Sequence, residues 1–295
     1  MNWSRAALMG LSLALAPLAT AQVDENCRGI PQPDDYDEQV QQDFLQNYVG
    51  LSMTLSPTHG PIPHEPGHGA IGIDLAVIPP LGCERRYVLD WTKTEETNRT
   101  PVLPKPRITF AFPALGELRP YGGFAYLPPV TIAGTTATIV SGELGAGVAF
   151  GSEDRIQLGG RLHATSAKVV ADIATAFRAD DDPVLDFYQT NSFGFDLQFG
   201  MDVGPLTPYA SVGVTDVSTF FLVGDDNVVS NNLHPYAGPV ASIGADGLVG
   251  TRFRWGAEFY AAPGGNSRPD PNASQVDFGR AGHLYTARVR LAVEL

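Results

Sequence analysis

The 295-residue chain carries a formal net charge of −13, with 32 glycines, 24 prolines and only two cysteines. So acidic a balance excludes nucleic acid as a partner, because phosphate binding needs a basic face. The glycine and proline content, with charge spread along the chain, calls for many turns.

The chain opens on the short basic MNWSR, continues into the apolar ALMGLSLALAPL and reaches the small-x-small site Ala19-Thr20-Ala21. These are the three parts of a secretory signal peptide, so residues 1–21 are expected to be removed. The apolar run is shorter than the roughly 20 residues that a spanning helix requires. Cys27 follows Glu25-Asn26 without a lipobox, which argues against lipid attachment. In an exported chain Cys27 and Cys83 are expected to pair as a disulfide. Residues 22–45, which hold the acidic PDDYDEQVQQDF, are expected to form a periplasmic segment ahead of the first strand.

From there to the end, apolar and polar residues alternate with the period of a strand. GAIGIDLAV (69–77) sets Ile71, Ile73 and Leu75 against Gly72 and Asp74, and NSFGFDLQFGM (191–201) sets Phe193, Phe195, Leu197 and Phe199 against Ser192, Asp196 and Gln198. RIQLGGRLHAT (155–165), RFRWGAEFY (252–260) and the terminal HLYTARVRLAVEL (283–295) repeat the pattern. No segment has a comparable helical pattern. With the weaker segments the strands number twelve, with ten as the alternative: 46–55, 69–77, 85–92, 105–112, 119–127, 136–150, 155–168, 190–202, 207–222, 233–246, 251–262 and 283–295. The stretch 167–190 reads either as prolonged strand or as a small helix in a loop. Tight connections (PPLGC, PALGEL, GSED, VGPL, DGLVG) alternate with long ones such as SPTHGPIPHEPGH and PGGNSRPDPNASQVDFGRAG.

In these features residues 46–295 resemble a Gram-negative outer-membrane β-barrel protein of porin-like type, whose brief periplasmic turns alternate with longer outer loops. The resemblance implies an all-β antiparallel transmembrane barrel in the outer membrane, with both termini periplasmic, outer-membrane lipid around it and the barrel assembly machinery as a partner. The terminal strand looks like the family's assembly signal, although it ends on Leu295 rather than on an aromatic residue.

Projected inward, the strands give a lumen lined by Arg86, Arg107, Glu143, Arg155, Arg161 and His163, and further round by Asp196, Arg252, Arg254, Glu258, Arg288 and Arg290. Asp74 and Glu294 share that face. Two readings stand side by side: a selectivity wall for anions, or charges that pair with one another in a plugged barrel. Inward Gly145, Gly147, Gly213, Gly244 and Gly256 leave space or relieve strand bending. His59, His64, Glu65 and His68 crowd the first outer loop, but their spacing matches no metal motif, and no metal or cofactor is expected. LHATS places His163 near Thr165 and Ser166 without the compact His-x-Ser pattern of outer-membrane hydrolases, so no catalytic residue is assigned. The function expected is a narrow diffusion channel for small polar or anionic solutes; the alternative is a non-conducting structural or adhesive surface protein.

Overall fold

The computed structural model describes residues 23–295 apart from 35, 89–90, 96, 99–100, 133, 172–185, 224–226 and 265–282. The signal peptide expected at 1–21 lies outside the described residues. Helix α1 (Glu38–Met53) comes first, followed by β1 (Gly69–Val77), β2 (Tyr87–Val88), β3 (Lys93–Thr94), β4 (Val102–Ala111), β5 (Arg119–Ile132) and β6 (Thr135–Phe150). Then come β7 (Ile156–Ala171), β8 (Asp186–Met201), β9 (Leu206–Val223), β10 (Asn227–Val249), β11 (Phe253–Ala262) and β12 (Leu284–Glu294). Apart from the β2–β3 hairpin, all the strands form one antiparallel sheet of ten, closed by pairing β1 with both β4 and β12. The count is the ten-strand alternative.

The alternation has a physical outcome opposite to that of a soluble core. On β8, Phe193, Leu197 and Phe199 are 50–59% exposed on the outer face, whereas Asp196 and Gln198 are each 2% exposed inside. The same inversion holds on β7, where Leu158 and Leu162 point out and Arg161 and His163 point in. An apolar exterior around a polar interior is the arrangement that hydrocarbon requires, and a closed sheet leaves no backbone edge unsatisfied. Among the described residues no helix is long and apolar enough to cross a membrane.

At one mouth the connections are short: 112–118, 151–155, 202–205 and 250–252. Gly151 and Gly204, with φ of 88° and 86°, supply the left-handed backbone that two of these tight turns need. At the other mouth stands the long connection 78–101, and there β5 and β6 are also joined closely, between Ile132 and Thr135. About 9–11 tilted residues cross a bilayer, so β8 (16 residues), β9 (18) and β10 (23) extend well beyond one span. Within 167–190, β7 continues to Ala171 and β8 begins at Asp186; the piece between lies outside the described residues.

Three expectations are corrected here. Residues 46–55 are not the first strand: they belong to α1 and the chain that follows it, so the barrel begins at Gly69. Second, 85–92 is not a wall strand but holds half of the small β2–β3 hairpin, because β1 pairs directly with β4. The 78–101 connection, with PPLGC inside it, therefore stands at the long-loop mouth rather than among the tight turns. Third, the first described residues and the end of the last strand lie at opposite mouths, not on one side. Leu295 donates its backbone N–H to the Gly69 carbonyl at the short-turn mouth. The segment after Val23 is held at the long-loop mouth by the Cys27–Cys83 disulfide and by Asp24 on Arg86.

Candidate functional site

The chain from α1 to β1 threads the barrel from mouth to mouth. Asp37 begins the helix, its carboxylate accepting from the Val40 N–H at 3.2 Å, as an N-cap does. Phe44, Tyr48 and Leu51 pack on Val217, Tyr236, Val240, Tyr260 and Leu284 of one wall. Met53 packs on Leu103, Leu127, Ile139, Val169 and Tyr188 of the other. Tyr188 donates to the Gln46 carbonyl at 2.7 Å, and Thr219 to its side-chain oxygen at 2.9 Å. A Cβ on Gly50 would stand 2.6 Å from Val217 Cγ1, so the absent side chain lets the helix approach the wall.

Below Met53 the lumen turns polar and cationic. A helix leaves its last carbonyls unpaired and carries partial negative charge at its C-terminus. Here the wall supplies the partners. Lys105 Nζ donates to the Met53 and Thr54 carbonyls at 3.2 Å each, and Arg288 donates to Thr54 and Leu51 at 2.8 and 3.1 Å. Arg288 also lies over the Tyr260 ring at 4.1 Å. Arg161 takes the Leu55 carbonyl at 3.0 Å and Arg107 takes that of Ser56 at 3.1 Å.

Those arginines are themselves neutralised. Arg107 donates to Asp74 at 2.7 Å and to Glu143; Arg161 donates to Glu143 at 3.0 Å and to Asp196 at 2.9 Å. His59 adds its Nε2 3.6 Å from Glu143, and His163 stands 3.6 Å from Asp196. Arg290 donates to Thr109 at 2.7 Å and lies 3.8 Å from Asp74.

Toward the short-turn mouth carboxylates receive the thread's N–H groups. Glu258 accepts from the Thr58 N–H at 3.1 Å and the Tyr209 hydroxyl at 3.0 Å. Asp246 accepts from the Gly60 N–H at 2.9 Å and pairs with Arg254 at 2.7 Å. Arg254 reaches Glu294 at 2.8 Å, and Glu294 meets His64 at 3.1 Å. The inward glycines leave a bore which the thread occupies: a Cβ on Gly256 would meet the Thr58 carbonyl at 2.2 Å, and one on Gly147 that of Pro61 at 2.6 Å. Every residue from Gly50 to Pro61 is buried.

Among the residues assigned to the lumen, Arg107, Glu143, Arg161, His163, Asp196, Arg254, Glu258, Arg288 and Arg290 are there. Three are not. Arg155 and Arg252 are exposed just before β7 and β11, one residue short of the alternating register. Arg86 follows the turn at Cys83, where it donates to Asp24 at 2.8 Å and to the Glu95 carbonyl at 2.9 Å, outside the lumen. His59 and His64 lie buried within the thread rather than on an outer loop, whereas Glu65 and His68 are exposed. Lys105 and Asp246 were missed. Lys105 lies two residues before Arg107 on the same face, so alternation alone could have found it; Asp246 was hidden in an apparent turn because β10 runs on to Val249.

A closed antiparallel barrel, apolar outside and polar within, is the fold of an outer-membrane β-barrel protein. No known family profile matches the sequence, and no curated protein is similar to it. Among solved structures, the toluene transporter TodX of Pseudomonas putida is 9% identical with a TM-score of 0.36, over 84% of this chain and 75% of that one. The translocator domain of the autotransporter NalP from Neisseria meningitidis is 12% identical with a TM-score of 0.38, over 78% and 88%. A FadL homologue from Pseudomonas aeruginosa is 9% identical with a TM-score of 0.35, over 83% and 95%. Likenesses this slight carry nothing about cargo.

Proposed function

We propose that this protein is an outer-membrane surface barrel sealed by its own N-terminal segment, closed to solutes at rest. The observation that supports this reading is the burial of Gly50–Pro61 across the lumen, tied to the wall by Lys105, Arg107, Arg161, Arg288, Glu258 and Asp246. An anion-selective channel would need these same cations facing water, whereas each already has peptide carbonyls or carboxylates as partners. The reading assigns no catalytic step: Ser166 points outward from β7 and His163 is buried beside Asp196. Outer-membrane lipid is its surroundings, and folding by the assembly machinery is part of the proposal.

Planar-bilayer recording tests it. The full chain, reconstituted and shown to shift in gel mobility on heating, should pass no steady current. A variant lacking residues 38–64 should conduct. Steady conductance by the intact chain would overturn the sealed reading.

A further inference from the structure

The junction of β4 with β5 is an exception to the even pairing of the wall. On its other side β4 pairs with β1 from Phe110 up to Val102, but with β5 it pairs over only five residues, from Ala111↔Tyr121 to Arg107↔Ala125. A strand needs about 9–11 residues to cross hydrocarbon, so this ladder stops about halfway up the wall. The seam above it still lies in the apolar belt, since Val77, Val102, Tyr126, Val130 and Val140 around it are 37–44% exposed.

Prolines are the cause. The Ala111 N–H donates to the His68 carbonyl ahead of β1 at 2.8 Å and the Phe112 N–H to the Pro120 carbonyl at 2.9 Å, so by alternation residues 102, 104, 106, 108 and 110 turn their backbone groups to β5. Continuing the observed register would set Pro106 opposite Tyr126 and Pro104 opposite Pro128. Proline has no N–H, so the first of these pairs has one donor in place of two and the second has none. At Pro128 and Pro129 β5 also slips against β6, where the pairs jump from Leu127↔Ile139 to Val130↔Ala137. At that height β5 is laddered to neither neighbour.

The inward side chains that back the seam are Leu103 and Leu127, which belong with Met53, Ile139 and Val169 to one apolar cluster inside the barrel. Parting β4 from β5 here breaks no ladder bond, and it joins that cluster to the hydrocarbon outside. A strand from another chain is a poor occupant, because these prolines give it too few donors to pair with. An anion finds no free cation either, since Lys105 is turned onto the Met53 and Thr54 carbonyls. We propose that the β4–β5 seam is a lateral docking site for an acyl chain of the surrounding outer-membrane lipid, which enters between Pro104–Pro106 and Pro128–Pro129 and reaches Leu103 and Leu127. The site opens to lipid and not to water, so the inference goes beyond the sealed-barrel reading and does not rest on it.

The test uses the full chain refolded into vesicles of dioleoyl phosphatidylcholine, with the photocrosslinker p-benzoylphenylalanine at one position at a time and folding checked by the heat-dependent gel shift. At Phe124, which faces the lipid, it should crosslink to oleoyl chains and so calibrate the yield. Val169 is the inner control, because it shares the cluster with Leu127 but is paired with both β6 and β8. Leu127→p-benzoylphenylalanine should crosslink to oleoyl chains severalfold more than the same change at Val169. Leu103 gives the comparison from the other strand if the Leu127 variant fails to refold. Adding Pro104→Val, Pro106→Val and Pro128→Val restores the missing donors and should cut the Leu127 yield severalfold. Equal yields behind the seam and at Val169, or a Leu127 yield that the three valines leave unchanged, would overturn the proposal.

Discussion

Glu143 stands where two arginines and a histidine from three parts of the chain converge: Arg107 on β4, Arg161 on β7 and His59 in the thread. All four side chains are almost wholly buried. Removing one member of a buried ionic group leaves its partners uncompensated, which typically costs about 3–5 kcal/mol. Glu143→Gln should therefore lower the urea midpoint of the refolded barrel strongly. The exposed pair of Glu153 with Arg155 is the contrast, since such pairs contribute roughly 0–1 kcal/mol, and Glu153→Gln should leave the midpoint almost unmoved. Equal midpoints for the two variants would show that the Glu143 cluster does not hold the lumen together. That Arg107, Glu143 and Arg161 face inward was legible from period-two alternation. That Arg161 and Arg107 also donate to the Leu55 and Ser56 carbonyls was not, because those acceptors are backbone atoms brought in by a segment whose path no local pattern specifies.

Helix α1 shows why one element was misread. Val40, Phe44, Leu45, Tyr48 and Val49 recur at helical spacing, but Val49, Leu51, Met53 and Leu55 alternate against Gly50, Ser52 and Thr54, so one period runs into the other at Val49. The barrel decides between them: a strand inside the bore would leave its backbone unpaired, whereas a helix satisfies its own and presents only its last carbonyls to Lys105 and Arg288. The disulfide, by contrast, was legible from cysteine count and compartment. It closes a loop of 56 residues in sequence, which by chain entropy contributes about 4 kcal/mol. Cys27→Ser with Cys83→Ser should lower thermal stability and expose the N-terminal segment to limited proteolysis. The oxidised protein should depend on pH as well. The Asn26 backbone N–H and the Arg86 guanidinium hold the Asp24 carboxyl below its usual value, so the docking it contributes is fully present above the unfolded pKa of about 3.9 and is lost as pH falls through the lowered folded value. Cleavage ahead of Cys27 by an acid-stable protease should rise only in that acid range. Cleavage that rises near neutrality would rule Asp24 out as the cause.

For the molecule as a whole, a closed antiparallel wall was readable from alternation and turn spacing, but its count and phase were not: twelve strands were expected with ten as the alternative, and the wall has ten, since one segment taken for a wall strand lies within the lumen and another in a hairpin at the mouth. Moving those two out of the wall reverses which mouth holds PPLGC, and with it the mouth at which the first described residues are held. The described N-terminal residues are anchored at the long-loop mouth, and the last strand ends at the other, the mouth that also holds the turn at Gly116. Barrels of the outer membrane place short turns toward the periplasm and longer loops outside. An epitope inserted ahead of Asp24 should accordingly be labelled by antibody on intact cells, and one inserted at Gly116 only after the outer membrane is permeabilised. The two positions must behave oppositely whichever way the barrel is inserted, because the thread crosses the full bore between them. Labelling of both epitopes on intact cells, or of neither before permeabilisation, would contradict a chain that enters at one mouth and begins its first strand at the other.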